Sequence, residues 1–260
     1  MSLYCVGTGS PTVMLVPGLG GTHRAWTEVQ ATLASITRVC SCDRLTRARY
    51  PELRFHTTRM NVHHLHELLE QAREAPPYIL VGQSIGGWDV RLFVGLHRAE
   101  VVGAVLSDAA APDVYDRIRK SLAPAARPSF ETWIETRPRQ LENLDIIRSA
   151  RQVESVRSFG DIPLVVLSHG NFPEAWGPQL DRDSKERIES VWQELQVELA
   201  GLSWNSIHIV AEGIGHDIHR GDPMLAAAAI REVVTSTRAS LPLRAYSHPL
   251  RGFSSHPARH

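Results

Sequence analysis

Ser84 stands between glycines in Gly82-Gln83-Ser84-Ile85-Gly86-Gly87, directly after the apolar run Tyr78-Ile79-Leu80-Val81 and directly before a helical pattern. A strand that turns sharply into a helix lifts the residue at the bend above the sheet, and glycines on either side let the backbone pack that tightly. The helix that begins there points free N–H groups, and the positive end of its dipole, at the place where negative charge would develop. Ser84 is therefore read as a nucleophile rather than as part of a purely structural turn. A hydroxyl also needs a base within hydrogen-bond reach to take its proton. Of the 13 histidines, His216 is the one in the right place, in the glycine-rich stretch Gly213-Ile214-Gly215-His216-Asp217 after the last apolar run. His208 and His219 are less well placed, and His63, His64 and His66 read as decoration of a solvated helix rather than as metal ligands. A second glycine cluster, Pro17-Gly18-Leu19-Gly20-Gly21, follows an early strand pattern. The backbone N–H groups of Leu19 and Ile85 are the candidate oxyanion donors.

The elements that must position these residues follow from periodicity. Short apolar runs at 12–17, 37–43, 78–82, 102–108, 164–168 and 206–211 alternate with helical stretches at 25–35, 59–75, 86–97, 184–201 and 223–237. That alternation is the pattern of a mainly parallel, doubly wound α/β sheet. Residues 1–6 add an antiparallel edge strand, and Asp222-Pro223 marks the start of the last helix. The segment 109–160 breaks the alternation with several prolines and a helical stretch near 140–159, and is read as a helical cap inserted into a core made of 1–108 and 161–238. Residues 239–260 turn to Pro, Ser, Arg and His and are expected to form a mobile or loosely docked tail.

Bulk properties narrow the function classes. Twenty-eight basic residues balance 28 acidic ones over 260 positions, so no overall field draws in nucleic acid or an anionic membrane. No apolar run approaches the roughly 20 residues of a membrane span. The N-terminus MSLYCVGTGSPT lacks the regions of a signal peptide, so a cytoplasmic chain is expected, with a secreted one whose signal has been removed as the alternative. The three cysteines have no zinc-type spacing and read first as small buried hydrophobes.

Taken in order, the three motifs resemble the α/β-hydrolase superfamily over residues 3–238, closest to its esterase-like members; Trp88 to Arg91 and Val105-Leu106-Ser107-Asp108 add to the likeness. The resemblance implies an eight-stranded sheet with a helical cap between the sixth and seventh strands. It also implies a carboxylate to orient His216. The usual place after the seventh strand reads Gly170-Asn171-Phe172-Pro173-Glu174, with no aspartate, so the end of the sixth strand, Asp108, is the favoured acid and Glu174 the alternative. Gly18 and Gln83 beside the nucleophile, and Trp133 and Phe159 in the insertion, are candidate pocket residues, with Trp176 a further cap aromatic. Where relatives have a glycine-rich turn after Asp-Arg, this chain has Asp43-Arg44-Leu45-Thr46-Arg47-Ala48-Arg49. Arg47 and Arg49 are then either solvated surface residues or partners of an anionic substrate group. The family's strand order would bring Cys5 towards Cys40 or Cys42, which leaves a disulfide as the alternative to free thiols and would point to an exported origin.

The activity implied is hydrolysis of a carboxylic ester, lactone or thioester through a Ser84-His216-Asp108 triad and an acyl-enzyme, with no metal or organic cofactor and a small acyl compound as substrate. An acyltransferase, thioesterase or lactone-forming enzyme is the second reading, and a non-catalytic ligand-binding module the third. Serine at the turn argues against the superfamily's dehalogenases and epoxide hydrolases, which use aspartate there.

Overall fold

A computed structural model describes residues 1–170 and 180–243. Alternation along the strands decides how the layers form. In β2 (Thr12–Val16), Val13 and Leu15 pack with one cluster while Met14 and Val16 pack with the other. The same split separates Ile79 and Val81 from Tyr78 and Leu80 in β4 (Tyr78–Gln83). Both faces of these strands are apolar because successive side chains point to opposite sides and each side is covered by helices.

The remaining strands are β1 (Leu3–Val6), β3 (Val39–Cys42), β5 (Val101–Ser107), β6 (Leu164–His169) and β7 (Ser206–Ala211). The sheet order is β1-β3-β2-β4-β5-β6-β7, parallel except for β1, which pairs antiparallel with β3. Helices α1 (Thr27–Leu33) and α9 (Pro223–Ala239) contribute to the cluster on one face; α2 (Thr58–Gln71), α3 (Gly86–Leu96) and α7 (Arg182–Ala200) contribute to the other. As expected, α9 starts at a capped end: the Asp222 side chain accepts from Leu225 N–H, and Pro223 occupies the first turn.

The described residues form seven strands rather than eight. Sheet pairing ends at β1, whose outward-facing Tyr4 and Val6 remain exposed. The segment between β5 and β6 also differs from expectation, holding three helices: α4 (Val114–Ser121), α5 (Arg127–Glu142) and α6 (Ile146–Glu154). Pro128 falls in the first turn of α5, where a missing N–H costs no hydrogen bond, whereas Pro138 lies inside the helix, before the left-handed Asn143 that ends it. Prolines that read as breaks thus lie inside one 16-residue helix. The short helix α8 (Ile218–Gly221) follows the His216 loop. Of the expected tail, Leu243 N–H donates to the Asn205 side chain and the residue packs on the core; 244–260 lie outside the described residues.

Candidate active site

Ser84 sits where β4 meets α3, with φ at +53°. That conformation is costly for a residue with a Cβ and persists only when its surroundings enforce it. Here Ser84 N–H donates to Ser107 O, while Ser84 O accepts from Gly87 and Ala110 N–H. The flanking glycines are a steric necessity: a Cβ on Gly82 would lie 2.6 Å from Gly86 O, and one on Gly86 would lie 2.6 Å from Val16 O.

Asp108 lies one residue past the end of β5, also at positive φ, with none of its surface exposed. Its Oδ2 is 2.5 Å from His216 Nδ1 and 2.7 Å from His169 Nδ1. Its Oδ1 accepts from Trp192 Nε1 at 2.9 Å and from the His169 backbone N–H at 3.2 Å. Burial by itself would push this carboxyl up, but the hydrogen bonds and charge of His169 and His216 hold it well below the usual carboxylate range. An ionised acid facing His216 Nδ1 makes that nitrogen the donor and leaves Nε2 as the ring's free lone pair. Ser84 and His216 border the same cavity, about 620 Å³ in volume.

Leu19, Ile85, Gly18, Gln83 and Trp133 all line that cavity too. Among the described residues no protein acceptor takes the N–H of Leu19 or Ile85. Gln83 occupies the position before the serine and ties two loops together: its Oε1 accepts from Gly18 N–H at 3.0 Å, and its Nε2 donates to Asp217 Oδ1 at 3.4 Å. Phe159 is corrected: it is buried at the foot of the insertion, its N–H donates to Leu202 O, and it does not border the cavity. Glu174 and Trp176 lie outside the described residues. Arg49 pairs with Asp43 and Ser2, and neither it nor Arg47 borders the cavity. His219 does line it, its ring tilted against Trp26 with centroids 4.3 Å apart, and burial pushes its imidazole down to about 4.

Two buried clusters carry no local signature. His169 reaches Glu189 Oε1 on α7 at 2.9 Å as well as Asp108. Its only sequence signal is its place at the end of a strand, beside the usual acid position. The second cluster is centred on Arg44, just past β3, which bonds Glu142 at the end of α5 through Nε at 2.7 Å and Nη2 at 3.1 Å. The same guanidinium pairs with Asp89 on α3, and Glu142 Oε1 also accepts from Gly20 N–H at 2.6 Å. Arg44, Asp89 and Glu142 are all buried.

Metal-type ligands also cluster among the described residues. Asp108, His169 and His216 are one group, and His66, His97 and Glu100 another. In the first, N···O separations of 2.5 and 2.7 Å are shorter than an ion held about 2.0–2.2 Å from each atom in tetrahedral geometry would allow. In the second, His66 and His97 stack 4.0 Å apart over Glu100, away from the cavity.

A family model described as the alpha/beta hydrolase family matches residues 13–245. The chain belongs to that family. A curated relative, uncharacterized protein YqjL of Bacillus subtilis (strain 168), is 25% identical over 237 residues, covering 87% of this chain and 85% of its own length. Among solved structures, a bromoperoxidase from Bacillus anthracis is similar with TM-score 0.62 at 16% identity, over 90% of this chain and 94% of that one. A thermophilic esterase from Thermogutta terrifontis is similar with TM-score 0.56 at 18% identity, over 91% and 93%. At those identities the structures establish a shared fold. The family assignment supports a hydrolase, and no described helix is long and apolar enough to cross a membrane.

Proposed function

We propose that this alpha/beta hydrolase family member is a serine hydrolase of carboxylic esters, lactones or thioesters, acting through Ser84, His216 and Asp108. The observation that carries the reading is the buried Asp108 carboxylate on His216 Nδ1, with that imidazole bordering the same cavity as a serine held at positive φ. His216 Nε2 takes the Ser84 proton as Oγ attacks the acyl carbon, and the N–H groups of Leu19 and Ile85 receive the oxyanion. The protonated imidazole then gives its proton to the leaving oxygen or sulfur. Water, deprotonated by the same ring, releases the acid and frees Ser84.

The apolar wall formed by Ile118, Phe130 and Ile188 suits a hydrocarbon acyl chain, and helices α4 and α5 act as the cap over it. The substrate is then a small acyl compound rather than a polymer of fixed charge. A disulfide joins Cys5 and Cys40, which face each other across the β1–β3 pair, and it favours an oxidising compartment over the cytoplasm.

A short-chain p-nitrophenyl ester assay tests the reading. Wild type should turn over and be labelled at Ser84 by a fluorophosphonate, while Ser84→Ala should lose both, with a rate loss on the order of 10³-fold or more. Folded wild-type protein that is neither labelled nor active would favour a binding module instead.

A further inference from the structure

Both ring nitrogens of His169 face carboxylates: Nδ1 lies 2.7 Å from Asp108 Oδ2 and Nε2 lies 2.9 Å from Glu189 Oε1. An ionised carboxylate only accepts, so a ring that bonds two of them must carry a proton on each nitrogen. All three side chains are at least 96% buried. Burial would push the imidazole down, but hydrogen bonds and charge from Asp108 and Glu189 overcome it and raise it to about 10. Among the described residues, His216, from the loop after β7, and Trp192 and Gln193, from α7, also face this cluster; Gln193 Nε2 donates to Glu189 Oε1 at 2.8 Å and to His169 O at 3.0 Å.

Resting on the triad reading above, we propose that His169 is a positioning residue of the reaction: clamped as an imidazolium between Glu189 and Asp108, it fixes the Asp108 carboxylate towards His216 and offsets its charge. The imidazolium sets one positive charge directly against the Asp108 carboxylate, the one that faces His216. When His216 takes the serine proton, a second positive charge meets a carboxylate that His169 already holds in place. With a neutral residue at 169, Asp108 would face His216 without that positive charge behind it. It would favour the protonated form of His216 more strongly and hold that ring out of the base role over a wider pH range. The arrangement also accounts for a strand-end histidine beside the usual acid position, with the acid itself one strand away.

The test combines variants of the full chain with a probe that does not need turnover. His169→Asn should move the acid limb of kcat/KM for a p-nitrophenyl ester to higher pH by about half a unit to one unit. Glu189→Gln, which removes negative charge and leaves His169 on Asp108, should move it to lower pH. A merely structural role would lower activity evenly and leave both limbs in place, and that result in folded variants overturns the proposal. Nitrogen-15 NMR of the wild-type histidines needs no variant. His169 should show both ring nitrogens protonated at pH 8, and a neutral ring at that pH overturns the proposal outright. If Ser84 proves inert, the triad reading fails, yet the shift of the His216 ring titration between wild type and His169→Asn still reads the coupling.

Discussion

The Asp108 carboxylate receives four N–H donors while showing no surface to water. Four donors fill the acceptor capacity of a carboxylate, so its orientation is fixed before substrate arrives. Asp108→Asn would place an amide NH2 against at least one N–H donor and remove the charge that selects the His216 tautomer. A loss of about 10⁴-fold in kcat is expected, as in serine enzymes generally when this acid is neutralised. Steady-state rates on a p-nitrophenyl ester check it, and activity within tenfold of wild type would reject Asp108 as the acid. As candidates, Ser84 and His216 are legible from their immediate neighbours, a glycine-flanked turn and a glycine-rich loop, whereas Asp108 is reached through a strand end and the lack of an aspartate at the usual acid position. His169 and Glu189 are not, because what makes them matter is a contact between a strand and a helix 20 residues apart. Phe159 misleads for the opposite reason. An aromatic in an insertion reads as pocket lining, but its place under the loop leading to β6 makes it core.

Helix α5 is joined to the core at one end by charge. Glu142 accepts from Arg44 twice and from Gly20 N–H, next to the candidate oxyanion donor Leu19, while Phe130 and Trp133 nearer the other end border the cavity. The position of the cap is thereby coupled to the loop that would hold the oxyanion. Glu142→Ala removes one partner of a buried ion cluster and orphans the Gly20 N–H, a change that typically costs about 3–5 kcal/mol. Urea unfolding should show that loss, and kcat should fall more than KM rises because the loop, rather than the acyl wall, is loosened. A cost below about 0.5 kcal/mol would mean the cluster behaves as a surface pair. The core strands are legible because their apolar runs are short and bounded; α5 is not, since Pro128 sits in its first turn and Pro138 stands inside it, where a proline reads as a break. The missing glycine-rich turn after Asp43-Arg44 is visible in the sequence, but the partners of Arg44 come from α3 and α5, 45 and 98 residues on.

At the scale of the whole molecule, equal numbers of acidic and basic residues leave stability governed by a few buried groups rather than by net charge. The Cys5–Cys40 bond closes a 35-residue separation, worth about 3–4 kcal/mol on a chain-entropy account, and does not titrate. Four titratable groups with large shifts shape the pH dependence. His169 stands near 10 when folded against an ordinary 6.5, so its contribution is complete below pH 6.5 and is lost as pH rises towards 10. His219, held down to about 4, works the other way: its contribution is present above pH 6.5 and is lost as pH falls towards 4. Asp108 lies below its ordinary 3.8, so it adds a loss only in stronger acid, and Cys42, pushed up to about 12 by burial, adds one only above pH 9. Unfolding free energy should therefore peak near pH 6.5 and decline on both sides, by at most about 1.4 kcal/mol per unit on the alkaline arm. Urea titrations at pH 5, 6.5, 8 and 9 measure this. His169→Asn should lower the peak and flatten chiefly the alkaline arm, because the acid arm belongs to His219 together with His56 and His97, which burial also holds down, and a wild-type stability that rises from pH 6.5 to 9 would show that His169 is not held as a cation.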